Sequence, residues 1–268
     1  MLFADHLVVL RGGGDLGTGV AYRLHRAGFP VVVLELAQPL TIRRTVAVST
    51  AVREGEITVE GMPARLAASE AEAADTATGG TVAVLVEEGI PEFPRPLSVL
   101  VDARLAKRNV GTTIDLAPLV VGLGPGFSAG RDCDAVVETK RGHRLGRVIW
   151  EGAPAPDTGI PGEVGGQSAN RVIRAPAAGA VRWSVEIGDA VVAGQVIGRV
   201  GEAAVEASIG GVVRGLIADG YPAEPGLKLA DIDPRGDAAV TLEISDKALA
   251  VGGGVLEAVL TWLNRRQL

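Results

Sequence analysis

The sequence predicts an α/β protein: a doubly wound, mainly parallel sheet first, a smaller all-β domain after it, and a closing helix. Three observations carry this. Residues 6–11 form an apolar strand that runs into Gly12-Gly13-Gly14-Asp15-Leu16-Gly17 and then into a helical pattern. Residues 174–182 align without a gap on residues 206–214, an offset of 32 that marks an internal duplication. Residues 254–266 place Val255, Leu256, Val259, Leu260 and Leu263 at helical spacing.

The chain has 268 residues, enough for one large or two modest domains with a real core. With 47% hydrophobic and 22% charged residues, wholesale disorder is excluded. Aromatics make up only 3%, and glycines number 37, so the core must be aliphatic and packed close to backbone. A formal charge of −6 gives no general attraction to nucleic acid or to an anionic membrane. The single cysteine, Cys133, excludes an internal disulfide, and the three histidines lack metal-ligand spacing. No metal centre is expected. Residues 1–6 carry an acid rather than a basic region and no stretch is a membrane span, so a soluble, cytoplasmic protein is expected.

The opening unit reads strand, glycine turn, helix, strand. Val20, Leu24 and Ala27 recur at helical spacing, Gly28 is placed for a C-cap, and residues 31–36 are a buried strand ending in an acid. Gly12, Gly14 and Gly17 satisfy G-x-G-x-x-G, the Rossmann-like pattern. One glycine permits the tight turn, one lets N–H groups approach a pyrophosphate, and one allows close helix packing. Glu35 lies where an acid would bond a ribose 2′-OH and repel a 2′-phosphate, which favours NAD or FAD over NADP. Arg43 and Arg44 just beyond it weaken that inference. The alternative is a scaffold of the same shape that keeps the turn without a ligand.

Downstream, residues 81–86, 98–101 and 118–122 read as strands and residues 69–76 as a short helix. Residues 54–92 carry nine acids and one Arg, whereas residues 101–150 carry eight basic side chains and five acids, so charge is segregated along the chain. Asp102, Arg104, Lys107 and Arg108 follow a strand and fall at the carboxyl edge, where ligands of α/β sheets bind. Gly122-Leu123-Gly124-Pro125-Gly126-Phe127 is a second glycine loop after a strand, whose N–H groups at Gly124 to Gly126 would make an anion nest. A solvated strand-end turn is the alternative for each. Cys133, flanked by Asp132 and Asp134, makes a poor thiolate and reads as a buried structural residue. Residues 135–139 and 145–150 read as a hairpin with a basic tip that includes His143.

Residues 151–171 form a Pro/Gly-rich linker, and residues 172–245 the duplicated domain. Gly188 falls on Gly220, Gly194 on Gly226 and Ile197 on Leu229. With Gly188-Asp189-Ala190-Val191-Val192-Ala193-Gly194-Gln195, these copies resemble the biotinyl/lipoyl-like barrel-sandwich of carrier domains. The carriers hold their cofactor on a lysine between the halves. Here Val200-Gly201-Glu202-Ala203-Ala204-Val205 has none, so no covalent biotin or lipoate is expected. Lys228, Asp231, Asp233 and Arg235 crowd one strand end, which reads either as a functional cluster or, more commonly, as a salt-bridged turn. The closing helix is expected to pack back on a domain.

Several phrases resemble one family along nearly the whole chain: Leu10-Arg11-Gly12-Gly13-Gly14-Asp15-Leu16, Ile42-Arg43-Arg44-Thr45-Val46-Ala47, Val101-Asp102-Ala103-Arg104, Gly122-Leu123-Gly124-Pro125-Gly126-Phe127 and Asp157-Thr158-Gly159-Ile160-Pro161-Gly162. They are similar to the YqeB-type accessory proteins of the selenium-dependent molybdenum hydroxylase system. The resemblance implies a role in maturing molybdenum hydroxylases and carries over no catalytic residue. The function expected is a maturation protein that binds a nucleotide-bearing cofactor (NAD, FAD or molybdopterin dinucleotide) and docks a molybdenum hydroxylase or another maturation protein. In it, Gly12, Gly13, Gly14, Asp15, Leu16 and Gly17 with Gly124 and Gly126 hold phosphates. Glu35 holds ribose, and Arg43, Arg44, Arg104, Lys107 and Arg108, beside Asp102, neutralise anionic groups. The alternatives are an NAD- or FAD-dependent oxidoreductase and a structural adaptor without ligand.

Overall fold

The computed structural model describes residues 1–157, 159, 166–167 and 169–266. The chain divides into two compact units. The first comprises Met1–Pro39, Ala47–Asp157 and Ile244–Leu268, and the second Leu40–Val46 and Thr158–Glu243. Of the stretch read as a linker, residues 158, 160–165 and 168 lie outside the described residues, so most of the Asp157 to Gly162 phrase does too.

The first unit is built on nine strands: β1 (Leu7–Arg11), β2 (Val31–Glu35), β3 (Glu56–Val59), β4 (Met62–Ala67), β5 (Val82–Val86), β6 (Leu97–Asp102), β7 (Leu119–Leu123), β8 (Ala135–Val137) and β9 (Val148–Ile149). Their order is β3-β4-β5-β2-β1-β6-β7-β8-β9. From β4 to β8 every pairing is parallel, whereas β3 and β9 pair antiparallel at the two edges. The central strands are continuous runs of Val and Leu because both faces are covered. Helix α1 (Asp15–Ala27) joins β1 to β2 and ends at Gly28 in the left-handed C-cap conformation. Helix α3 (Glu70–Thr78) joins β4 to β5 and starts at Ser69, whose hydroxyl accepts the Glu72 N–H. A single turn, α2 (Ala51–Glu54), precedes β3.

The doubly wound Rossmann-like sheet expected from the sequence is corrected by this topology. The sheet is mixed, and no α-helix lies between β5 and β6, β6 and β7, or β7 and β8. Those connections carry Pro91, Pro94, Pro96, Gly111, Pro118, Pro125 and Gly130, which deny the chain helical hydrogen bonds or helical entropy. In place of helices, Phe127, Ala129 and Cys133 pack on the sheet together with Ala73 and Ala77 of α3. The hairpin of β3 and β4 was not anticipated, because its residues stand out by charge rather than by alternation. Helix α4 (Asp246–Arg266) begins eight residues before the expected 254, since three glycines in its interior, Gly252, Gly253 and Gly254, read as breakers. It packs along α1 and reaches β7, β8 and β9.

The second unit holds β10 (Val172–Arg174), β11 (Gly179–Trp183), β12 (Ala190–Val191), β13 (Val196–Val200), β14 (Ala203–Glu206), β15 (Gly211–Leu216), β16 (Pro222–Ala223) and β17 (Lys228–Asp233). They form two four-stranded antiparallel sheets, β10-β17-β15-β12 and β14-β13-β11-β16. The expected biotinyl/lipoyl-like barrel is corrected to these two open sheets. Positions 32 apart take the same place in the apolar cluster: Ala175 with Ala207, Val181 with Val213, Val191 with Ala223, Ile197 with Leu229. Each sheet contains strands of both copies, so neither copy completes its own hydrogen bonds alone.

Candidate functional site

Because β1, β6, β7 and β8 are parallel, the turns that follow them share one edge of the sheet. The chain leaves β1 towards β2 on one side, while β6 lies on the other, and such a switch in direction is where open α/β sheets take ligands.

At that edge Gly12 adopts φ +101°, a left-handed value that favours glycine, and its N–H donates to the Leu34 carbonyl at 2.9 Å. A Cβ on Gly17 would fall on the Gly12 carbonyl oxygen, so the helix can start this close to the strand only without one. The Gly13 N–H donates to Glu35 Oε2 at 2.8 Å, and the Leu36 N–H to Glu35 Oε1 at 2.9 Å. Ser49 N–H and Thr18 Oγ1 both donate to the Gly13 carbonyl, at 3.0 and 3.1 Å. Glu35 thus braces the turn from within. The N–H groups of Gly12 and Gly13 are therefore spent within the protein.

The turn after β6 is organised by Asp102, which is buried. Arg104 grips its carboxylate with Nε at 3.0 Å and with Nη2, Thr112 Oγ1 donates at 2.6 Å, and Arg11 Nη1 donates to Thr112 at 3.0 Å. Burial pushes the Asp102 carboxyl up, but the bonds from Arg104 and Thr112 outweigh it and hold it below the usual carboxylate range. Leu105 and Lys107 follow at φ +57° and +62°, strained for side-chain-bearing residues. The backbone of Arg108 passes Gly126 so closely that a Cβ there would stand 2.7 Å from the Arg108 nitrogen. The two loops after β6 and β7 therefore interlock at Gly126, while the Arg108 side chain is exposed. The Gly124 N–H donates to the Val137 carbonyl at 2.9 Å, so it is not part of an open nest.

Sequence reasoning placed Arg43 and Arg44 at this site, and the structure does not. Both belong to the second unit, where Arg43 donates to the carbonyls of Val240 and Glu243 at 2.9 and 2.8 Å and Arg44 to that of Leu216 at 2.8 Å. Asp231 and Asp233, in the same unit, are buried against Arg171, Arg214 and Arg235. Cys133 is fully buried, and burial first, with Asp132 and Asp134 adding, pushes its thiol up to about 12, so it is no nucleophile.

The reading missed three groups at the same edge. Arg141, after β8, pairs with Asp246 through two bonds of 2.6 and 2.8 Å. Glu138 is buried and accepts the Lys140 and Ala155 N–H groups at 2.7 and 2.8 Å. Lys247, in the first turn of α4, is partly buried. Arg141 carried a signal in the basic tip, whereas Lys247 lies 106 residues downstream of it and had none. Among the described residues no helix is long and apolar enough to cross a membrane.

The fold defines a mixed α/β sheet protein with glycine-rich turns at its carboxyl edge and a duplicated all-β unit. In sequence the chain is similar to the uncharacterized protein YqeB of Escherichia coli (strain K12): the two are 51% identical over 261 residues, which takes in 97% of this chain. The chain spans about half the length of that relative, 48% of it. No protein-family model matches. Among solved structures it is similar to the ectoine utilization protein EutE (DoeB) from Ruegeria pomeroyi at 12% identity, with 85% of this chain and 57% of that one covered and a TM-score of 0.24. It is also similar to an aspartoacylase family protein from Mesorhizobium loti at 11% identity, with 85% of both chains covered and a TM-score of 0.25.

Proposed function

We propose that the first unit binds a nucleotide-bearing ligand of the NAD, FAD or molybdopterin dinucleotide class, and that the chain serves the maturation of selenium-dependent molybdenum hydroxylases, docking such an enzyme or another maturation protein. One observation carries the binding part. The turns after β1, β6 and β7 stand side by side at the carboxyl edge, at the point where strand order reverses. The phosphates fall to the first turn of α1, and Arg104, Lys107 and Arg108 supply positive charge nearby. The maturation role rests on the motifs shared with the YqeB-type accessory proteins.

Equilibrium binding tests the reading with NAD, FAD and a molybdopterin dinucleotide. At least one should bind, and Gly14→Val should abolish it by blocking pyrophosphate approach. No affinity for any of them removes the proposal. A second reading, an adaptor without ligand, is favoured by one observation: Gly13 and Glu35 satisfy each other. Under it, partner binding survives Gly14→Val.

A further inference from the structure

The large sheet ends on one side at β3, which pairs with β4; among the described residues no strand pairs with its other side. The Leu66 N–H donates to the Gly55 carbonyl at 2.8 Å. Hydrogen-bonded pairs alternate along an antiparallel ladder, so in this register Ile57 and Val59 spend their backbone groups on β4. The N–H and C=O groups of Glu56 and Thr58 therefore face outward, and both residues are exposed.

Beside this edge lies a groove of about 940 Å³, lined by Glu56 and Thr58 of β3, Pro63 and Arg65 of β4, and Glu72 and Asp75 of α3. Arg65 stands opposite Glu56 and reaches α3, where its Nη2 donates to Thr76 Oγ1 at 2.9 Å and is 3.7 Å from Glu72 Oε1. Among the described residues it is the one cation of the lining, against three carboxylates, and Glu56 and Asp75 hold no ion pair. Asp75 falls in the last turn of α3, which carries no basic residue, and Gly79 at the end of that helix also lines the groove. The negative end of the helix dipole thus adds to the carboxylates, and a cation relieves both. Among the described residues no three His, Cys, Asp or Glu side chains gather closely enough to hold a metal ion, so the acids suit a longer cation. Charges on an edge strand also select what may pair with it: these acids repel an acidic strand, whereas basic side chains satisfy them.

We propose that this edge and groove are a docking surface for an extended basic segment of a partner protein, which adds a strand to β3 and sets Lys or Arg side chains against Glu56, Glu72 and Asp75. Backbone bonds to Glu56 and Thr58 fix the register, and alternation along the added strand turns every second side chain towards α3, where the acids are. The inference goes beyond the proposed function, because it needs neither a nucleotide nor a molybdenum hydroxylase.

Fluorescence anisotropy of a labelled heptapeptide of alternating Lys and Val, titrated with the full chain, tests this. The peptide should bind saturably. The same peptide N-methylated at every amide keeps its charge but loses its backbone donors, and should bind at least tenfold more weakly. Thr58→Pro removes one outward N–H while sparing the bonds to β4, and should cost at least tenfold with thermal unfolding little changed. Glu72→Gln with Asp75→Asn should cost at least fivefold, and Glu70→Gln, on the same helix but outside the groove, less than twofold. No binding of the heptapeptide overturns the proposal, as does unchanged affinity in folded Thr58→Pro. Equal binding of the methylated form, or an equal loss in Glu70→Gln, also overturns it, since bulk charge then suffices. Should Thr58→Pro not fold, the methylated peptide decides. Sedimentation that shows the chain associating with itself, and losing that association in Glu72→Gln with Asp75→Asn, gives the groove to a second copy and refutes the partner.

Discussion

Asp102 shows how one residue organises the site without facing a ligand. Its carboxylate is buried at the end of β6, and Arg104 and Thr112 satisfy it so fully that the following loop is tied to the strand that precedes it. Removing one partner of a buried pair leaves the other charge uncompensated, so Asp102→Asn should cost about 3 kcal/mol in urea unfolding at neutral pH. Because the folded-state pKa lies below the unfolded one, this contribution is present above about pH 4 and is lost as pH falls through the depressed value. The gap between the unaltered protein and the variant should therefore shrink in acid. A constant gap from pH 7 to pH 2.5 would show that the charge is not what Asp102 contributes. Glu35 teaches the opposite lesson. Its type and position fit a ribose, yet its two oxygens are bonded to Gly13 and Leu36, because the tertiary fold decides which partner an acid takes.

At the scale of elements, the contact between α1 and α4 decides how the sheet is covered. Their backbones meet where Gly19 faces Ala248 and Gly252, and a Cβ on Gly252 would fall on the Gly19 carbonyl. Gly253 beside it meets nothing within 4 Å. Alanine is the better helix former, so Gly253→Ala should stabilise by about 0.5–1 kcal/mol. Gly252→Ala should destabilise by roughly 1–3 kcal/mol despite the same propensity gain, because the helices must separate. Thermal melts of the two variants check this, and equal shifts would refute the close contact. The same glycines explain why the start of α4 was misplaced in sequence: propensity counts them as breakers, and packing needs them.

Across the whole molecule, protection from hydrogen exchange should follow position in the large sheet. Strands β1, β2 and β6 lie inside it with continuous buried apolar runs, whereas β3 and β9 are antiparallel edges. The slowest amides should fall in β1, β2 and β6 and the fastest strand amides in β3 and β9. Comparable protection throughout would contradict the layering. The second unit depends on exchange between its copies, since β17 pairs with β10 and β15 while β13 pairs with β11 and β14.

Local patterns alone determined the strand, glycine turn and helix of residues 6–28, the apolar strands of the central sheet and the 32-residue duplication. These rest on side-chain periodicity and backbone freedom at glycine, both short-range, whereas the high thiol pKa of Cys133 comes first from burial. Tertiary structure alone decided that the sheet is mixed and short of helices, that Arg43 and Arg44 serve the second unit, that Glu35 turns inward, and that Arg11 reaches Thr112 beside Asp102. Each of those outcomes is a choice among partners far apart in the chain, and energies of pairing and burial, not local propensity, make it.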